Sequence, residues 1–214
     1  MRLLLIRHAL PHRVGGGGVS ADPELTELGH RQAARVARVL LPPPPTVSVD
    51  NPIEAVYTSS QRRSQDTAAP LLRELGSESV AVPELAEFDV DSPHYIPFHE
   101  MVEAAPDTWT RMRAGLLPAY VDAEAFRDRV LKGFEQIITA HPGASTVACF
   151  VHAGVINIFL SDVLGLTVPL PFPLDYAGIS RLSISRSGRR SVRTINEIGH
   201  VADLLDPTVA TDTQ

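Results

Sequence analysis

The chain has 214 residues, of which 44% are hydrophobic and 21% charged, a composition that suits one globular domain with a sizeable core. Its formal net charge of −6 excludes broad nucleic-acid binding, because such binding needs clustered lysine and arginine. Cys149 is the single cysteine, so no disulfide can form within the chain, and a cytoplasmic location is expected. The apolar run at 3–6 is too short for a signal peptide or a membrane span, so no membrane partner is expected.

The first part of the chain alternates predicted strands and helices. These elements are, in chain order, a strand at 3–6, a helix at 25–40, a strand at 53–57, a helix that runs to Leu75 and a strand at 80–82. The first strand is a continuous apolar run, which is typical of a strand covered on both faces. The hydroxyl residues at 58–60 are suited to capping the second helix. The prolines at 42–45 predict an extended surface linker.

The rest of the chain predicts a sheet that is mostly parallel and closes with a hairpin. A polar segment at 88–120 is expected to leave the sheet as a substrate-capping excursion. Further on, the pattern predicts a helix at 123–140, a strand at 146–151, and a hairpin formed by 179–184 and 191–195. The expected fold is α/β, with three layers and helices on both faces of the sheet. We expect one domain over 1–205 and a flexible tail at 206–214.

Basic side chains follow three of the predicted strands. His8 and His152 come directly after buried strands, and Arg63 lies in the first turn of the helix that follows another. Because ligands of open α/β sheets bind beyond the carboxyl ends of the strands, these residues are expected at one site. Histidine can attack phosphorus at neutral pH, and arginine binds phosphate oxygens through its planar fork. The pattern therefore indicates phosphoryl chemistry.

Five motifs carry these residues along the chain. They are Leu-Ile-Arg7-His8, Leu25-Thr26-x-x-Gly29-x-x-Gln32-Ala33, Tyr57-Thr58-Ser59-x-x-x-Arg63-x-x-x-Thr67-Ala68, Leu85-x-Glu87 and Phe150-Val151-His152-Ala153-Gly154-Val155. In this order and spacing they resemble the histidine phosphatase superfamily, also called the phosphoglycerate mutase-like family, over most of the chain. The resemblance implies the fold of that family and the hydrolysis of small phosphomonoesters.

The resemblance also implies a role for the polar residue of each motif. His8 is implied as the nucleophile that becomes phosphohistidine, with Arg7, Arg63 and His152 forming the phosphate pocket. Glu87 is implied as the proton carrier, which protonates the leaving alkoxide and then takes a proton from water; this task favours a raised pKa. No metal and no organic cofactor is implied, because the basic side chains supply the positive charge. The expected partner is a small phosphorylated substrate.

Several positions depart from the family pattern. Ala9 and Ala153 stand where the family usually has glycine, and Leu10 and Pro11 replace polar residues. These differences affect the identity of the substrate more than the reaction, because an added methyl group is compatible with a negative φ. Ala153 is still expected beside the substrate. The neighbouring His12 and Arg13 are expected to compensate, with Arg13 as a further substrate-binding residue.

The sequence leaves two alternatives to a phosphatase. One is a phosphoglycerate mutase, although the segment between Glu87 and His152 is short for such mutases and favours an open site that admits water. The other is a non-catalytic module that binds a phosphorylated ligand in the same pocket, although a pure binder has no need for a proton carrier. The oligomeric state stays open, with a homodimer favoured if an apolar edge is exposed.

Neighbouring features receive structural interpretations. Glu84 is expected in a turn or at a strand end, which favours Glu87 as the acid. The glycines at 15–18 lack the strand and the lysine of a P-loop and predict a flexible loop at the mouth of the site. Cys149 is expected to be buried and inert within its strand. Asp89 is interpreted as part of a solvated acidic loop.

Overall fold

The computed structural model describes residues 1–15, 21–41 and 52–205. Glycines 16–18, the predicted proline linker at 42–45 and the predicted tail at 206–214 lie outside the described residues.

A six-stranded mixed sheet forms the centre of the molecule. Its strands are β1 (Arg2–Arg7), β2 (Ile53–Thr58), β3 (Ser79–Ala81), β4 (Thr146–Val151), β5 (Ile179–Ile184) and β6 (Arg190–Glu197). Their order across the sheet is β3-β2-β4-β1-β5-β6. The first four strands in this order run parallel to one another, whereas β5 is antiparallel to β1 and pairs with β6 as a hairpin. The predicted α/β class, the mostly parallel sheet and the closing hairpin are confirmed.

Helices cover both faces of this sheet, as predicted. They are α1 (Glu27–Leu40), α2 (Arg62–Leu75), α3 (Met101–Ala104), α4 (Pro106–Arg113), α5 (Ala123–Ala140) and α6 (Ala153–Leu164), with 3-10 turns at Pro83–Leu85, Phe98–Glu100 and Ala202–Leu204. Alternate residues of β1 point to opposite faces, as the pleat requires. Leu3 and Leu5 pack in the core formed with α5 and α6, while Leu4 and Ile6 pack in the core formed with α1 and α2. The apolar side chains of β1 thus alternate between two cores.

The start of α2 differs from the expectation that hydroxyls at 58–60 cap it. Its N-cap is Gln61, whose side chain makes no capping hydrogen bond. The carboxylate of Asp22 instead accepts a hydrogen bond from the backbone N–H of Arg62, at 2.8 Å. The hydroxyl of Ser59 accepts from the N–H of Gln61 at 3.2 Å and also contacts His152. A carboxylate that is distant in the sequence therefore binds the backbone N–H at the start of α2, and Ser59 contacts His152 instead of capping the first turn.

The segment at 88–120 contributes no strand to the sheet among the described residues. It contains the 3-10 turn at Phe98–Glu100, followed by α3 and α4. A backbone bridge between Val14 and Tyr95 ties its first part to the loop after β1. This attachment holds the segment over the carboxyl ends of the parallel strands. In the described part of the chain, none of the helices is both long and apolar enough to cross a bilayer.

Candidate active site

The parallel pairing of β1 with β4 brings His8 and His152 together. The register places Arg7 opposite Val151, so the two histidines follow at the same level of adjacent strands. The backbone N–H of His8 donates to the carbonyl of Val151 at 2.9 Å. The two ring centroids lie 5.1 Å apart, and both side chains are buried. Sheet geometry alone therefore forms the centre of the site.

The third basic residue, Arg63, comes from the other neighbour of β4. Strand β2 ends at Thr58 opposite Phe150, and α2 begins four residues later. Within α2, Ser64 donates its hydroxyl hydrogen to the carbonyl of Phe150 at 2.6 Å. This bond fixes the first turn of α2 against the end of β4. Arg63 is consequently 0% exposed although it is an arginine.

The tautomer of His8 is set by its own neighbour. Its Nδ1 lies 2.8 Å from the carbonyl oxygen of Ala9, which can only accept a hydrogen bond, so Nδ1 carries the hydrogen and Nε2 holds the lone pair. Burial lowers the pKa of His8 well below 6.5, and the charges of Arg63 and Arg7 lower it further. The imidazole is thus neutral at physiological pH, with a nucleophilic nitrogen.

Two buried guanidinium groups flank this histidine. Arg7 donates from Nη1 to the carbonyl of Leu174, and its guanidinium carbon lies 3.8 Å from the ring centroid of Tyr176. Arg63 donates from Nη2 to the carboxylate of Asp89 at 2.6 Å, with Tyr95 on its face. Arg7 Nε, Arg63 Nε and Arg63 Nη1 are buried and have no hydrogen-bond partner in the described structure. Because unpaired buried donors are costly, this arrangement favours binding of an anion.

Glu87 lies beside the start of α6. Its Oε2 accepts from the N–H of Gly154 at 2.9 Å, and its Oε1 accepts from the N–H of Phe88 at 3.2 Å. Burial, followed by the charge of Asp89, raises the pKa of Glu87 to about 7, although these two hydrogen bonds and the charge of Arg63 act in the opposite direction. Near neutral pH, this carboxyl group can therefore both give and accept a proton.

These residues line one cavity of about 530 Å³, together with residues of the 88–120 segment. Arg7, His8, Arg63 and Glu87 lie on its wall, whereas His152 is fully buried at ring-contact distance from His8. Among the described residues, no group of three or more histidine, cysteine or acidic side chains is arranged to hold a metal ion.

A family model that matches the sequence shows which family this chain belongs to. The model described as histidine phosphatase superfamily (branch 1) matches residues 3–197. The chain belongs to the histidine phosphatase superfamily. It is a hydrolase of the phosphomonoesterase type, in agreement with the sequence motifs.

Solved structures of similar fold are phosphatases of several organisms. A mycobacterial glucosyl-3-phosphoglycerate phosphatase in complex with inorganic phosphate has a TM-score of 0.71 and 23% identity, over 94% of this chain and 99% of that chain. A phosphoserine phosphatase from Entamoeba histolytica in complex with 3-phosphoglyceric acid has a TM-score of 0.67 and 19% identity, over 94% and 98%. A putative alpha-ribazole-5'-P phosphatase from Escherichia coli has a TM-score of 0.66 and 22% identity, over 92% and 97%. No curated protein matches the sequence significantly.

In this histidine phosphatase the interpretation of Asp89 as a solvated residue is wrong. Its carboxylate binds Arg63 and also accepts from the side-chain Nε2 of Gln61 at 3.0 Å. The side-chain oxygen of the same Gln61 accepts the backbone N–H of Glu87 at 2.7 Å. Gln61 thus connects the two carboxyl residues. Sequence reasoning missed this contact because Asp89 lies in the polar segment, without a strand or helix pattern to orient it.

Arg13 is not brought to the cavity with the other predicted site residues. It is exposed and forms an ion pair with Glu100 at 2.9 Å. The predicted contact between Arg13 and a substrate has no support in this geometry, because a nearby carboxylate holds the guanidinium. Ala153, which is also expected to lie beside the substrate, does line the cavity.

The interpretations of Glu84 and Cys149 agree with the structure. Glu84 lies in a 3-10 turn, where it contacts Gln136 and Lys132 on α5 and not the site. Cys149 is fully buried in β4, and burial raises the pKa of its thiol.

Ala9 stands at a family glycine position and fits into the core, whereas Gly154, next to Ala153, has no room for a side chain. Ala9 is fully buried, packs with Leu25 and Ala33, and donates its N–H to the hydroxyl of Thr67 at 2.9 Å. The retained Gly154 has a steric role, since a Cβ at this position would lie 2.3 Å from Oε1 of Glu87. A methyl group is therefore tolerated at positions 9 and 153, whereas a side chain at position 154 would displace the carboxyl group of Glu87.

Proposed function

We propose that this phosphatase hydrolyses small phosphomonoesters without a metal, through a phosphohistidine formed on His8. The observation that carries the proposal is the neutral His8, with Nδ1 hydrogen-bonded to Ala9, between two buried arginines that have unpaired donors. Such donors are positioned for the equatorial oxygens of a transferring phosphoryl group. Arg7, Arg63 and His152 form the phosphate pocket in this proposal.

In the first step, His8 Nε2 attacks phosphorus and the bond from phosphorus to the ester oxygen breaks. The departing alkoxide takes the proton of Glu87, whose pKa of about 7 keeps a large fraction protonated at neutral pH. The positive charge of Arg7 and Arg63 stabilises the phosphoryl oxygens while the bond order to both nitrogen and oxygen is low. The products of this step are the alcohol and phosphohistidine.

In the second step, water attacks the phosphorus of phosphohistidine. Glu87, now ionised, accepts the proton of this water, and the bond between His8 Nε2 and phosphorus breaks. Inorganic phosphate leaves, and both residues return to their starting states. One carboxyl group can serve as acid and then as base because its pKa lies near the working pH.

His152 supports the phosphoryl group as a neutral hydrogen-bond donor in this proposal. Burial lowers the pKa of His152 well below 6.5, and the charges of Arg63 and Arg7 lower it further. Its Nε2 lies 2.7 Å from Oγ of Ser59, and its buried Nδ1 has no described partner. With Ser59 donating to Nε2, Nδ1 carries the ring hydrogen and can donate it to a phosphate oxygen.

The proposal is tested by trapping the intermediate. Enzyme treated with excess chelator is mixed with a phosphomonoester labelled with ³²P and quenched within the first turnover. We expect a covalent label on His8 that is stable to base and labile to acid, and steady-state phosphate release that is unaffected by the chelator. Turnover that requires an added metal ion would contradict the mechanism, and stoichiometric isomerisation of a phosphoglycerate would identify a mutase.

A pH profile tests the role of Glu87. Because the protonated form is the acid in the first step, kcat/KM for an alkyl phosphate is expected to fall as the pH rises through about 7. Glu87→Gln should lower kcat/KM by about 10²–10⁴-fold and remove this alkaline limb, since glutamine does not titrate there. The measurement is kcat/KM between mildly acidic and alkaline pH for the wild type and the variant.

Two controls separate proton transfer from structural damage. A 4-nitrophenyl ester releases a weakly basic phenolate that needs little protonation, so its kcat/KM should fall much less in Glu87→Gln. Glu84→Gln alters a carboxyl group three residues away that contacts α5, and it should leave the limb in place. An unchanged alkaline limb in Glu87→Gln would assign the titration to another group.

A further inference from the structure

The cavity continues beyond the phosphate pocket into an apolar region. Its wall there includes Phe88, Ile96, Phe98, Met101, Met112 and Phe172. Most of these residues come from the 88–120 segment, and Phe172 comes from the loop after α6, whose backbone Asn157 holds through two hydrogen bonds. The apolar wall is thus built from two parts of the chain that line the same cavity as His8.

The size of the cavity exceeds what a phosphoryl group needs. Its volume of about 530 Å³ lies within the range of roughly 300–1,000 Å³ that is typical of sites for drug-sized ligands. Apolar walls stabilise a ligand in proportion to the apolar area that it buries. The volume of the cavity and its apolar lining together favour a long or bulky leaving group over a leaving group of three carbons.

The charges on the wall disfavour a second anionic group on the substrate. Besides Glu87 and Asp89, the carboxylate of Asp175 lines the same cavity, where it accepts a hydrogen bond from Asn196 at 2.7 Å. The two arginines beside His8 face the phosphoryl position. The third arginine of the lining is Arg113, which is exposed and lies 5.3 Å from the ring centroid of Trp109.

The remaining basic residues of the wall are two histidines. His94 is exposed, and Nε2 of His99 lies 3.8 Å from a carboxylate oxygen of Glu100. The described wall therefore has no buried arginine or lysine, other than the pair beside His8, that could hold a carboxylate on the leaving group.

We propose that this site selects monophosphate esters of extended apolar alcohols, and discriminates against esters whose leaving group carries its own carboxylate. The inference rests on the proposed phosphatase function and specifies its substrate class. The leaving group lies between α4 and the loop that contains Phe172, while the phosphoryl group occupies the site beside His8.

A homologous series of n-alkyl phosphates tests the inference. From propyl to octyl the leaving alcohols have nearly the same pKa, so the intrinsic reactivity stays constant while the buried apolar area grows. We expect kcat/KM to rise by about fourfold for each added methylene until the cavity is filled. 3-Phosphoglycerate and phosphoserine should have lower kcat/KM than propyl phosphate, because each carries an additional carboxylate.

Variants on α4 locate the effect in the cavity. Met112→Ser introduces a polar group into the apolar wall and should lower the ratio of kcat/KM for octyl phosphate to that for propyl phosphate. Thr110→Ser, on an exposed position of the same helix, is the matched control and should keep this ratio. Arg113→Gln should not change the ratio of 3-phosphoglycerate to propyl phosphate; a selective loss for the acidic ester would show that Arg113 binds its carboxylate and would overturn the inference.

Binding of n-alkylphosphonates, measured by calorimetry, separates this inference from the proposed function. Turnover that depends on His8 but does not vary along the alkyl series, together with phosphonate affinities that do not vary, would overturn the substrate class and leave the phosphatase intact. Absence of turnover for every ester by a folded enzyme would overturn the proposed function and the substrate class with it. A rising slope in both turnover and affinity supports the inference.

Discussion

Replacing His8 by alanine should reduce phosphomonoester hydrolysis by about 10⁴-fold or more, because it removes the nitrogen that forms the covalent intermediate in the proposed mechanism. The expected residual rate comes from Arg7 and Arg63, which can still stabilise a phosphoryl group under attack by water. The variant should not become labelled by a ³²P-labelled ester. The measurement is initial-rate phosphate release together with acid-labile labelling.

Binding measurements distinguish lost chemistry from a collapsed site. His8→Ala leaves both guanidinium groups in place, so it should still bind inorganic phosphate with an affinity of the same order as the wild type. His12→Ala is the matched control, because His12 is exposed and is excluded from the cavity wall. Near-wild-type hydrolysis by His8→Ala, or equal losses in the two variants, would exclude His8 as the nucleophile.

Arg63→Lys is expected to reduce kcat/KM by about 10²–10³-fold although the positive charge is kept. The guanidinium of Arg63 donates to Asp89 through Nη2 and leaves Nε and Nη1 unpaired for the phosphoryl oxygens. An ammonium group is a single point donor and cannot satisfy Asp89 and the substrate with the same geometry. The inhibition constant of inorganic phosphate should rise and kcat should fall, because the lost contacts exist both in the bound state and in the transition state.

The adjacent arginine supplies the control for this substitution. Arg62 is exposed and forms ion pairs with Glu24 and Asp66 on the surface. Because surface ion pairs contribute only about 0–1 kcal/mol, Arg62→Lys should leave kinetics and thermal unfolding nearly unchanged. Thermal unfolding of Arg63→Lys must also be measured, since a buried charge is altered. A folded Arg63→Lys enzyme with wild-type kcat/KM would contradict the proposal that the guanidinium of Arg63 binds Asp89 and the substrate at the same time.

Asp89 acts electrostatically on two residues of this site. It neutralises part of the charge of Arg63, with which it shares a 2.6 Å contact, and its own charge raises the pKa of Glu87. The bridge through Gln61 couples the positions of the two carboxyl groups. Glu87 and Arg63, the proposed proton carrier and the proposed phosphate ligand, are therefore positioned by one connected network.

The sequence by itself determined the sheet and the residues at its strand ends. Leu3–Ile6 and 146–151 are apolar runs that can be satisfied only by burial on both faces, and the residues that follow them must emerge at one edge of a parallel sheet. The positions of His8 and His152 follow from this local pattern. Their roles as nucleophile and phosphate ligand stay predictions.

The tertiary structure decided what surrounds those residues. Helix α6 has apolar residues around most of its circumference and so lacks the amphipathic spacing that predicts a helix. Arg7 contacts Leu174 and Tyr176, and Arg63 contacts Asp89, through pairs far apart in the sequence. No local periodicity encodes such contacts, because they arise only when a loop without regular structure folds over the sheet. The apolar cavity and the raised pKa of its acid have the same origin, since burial depends on the whole fold.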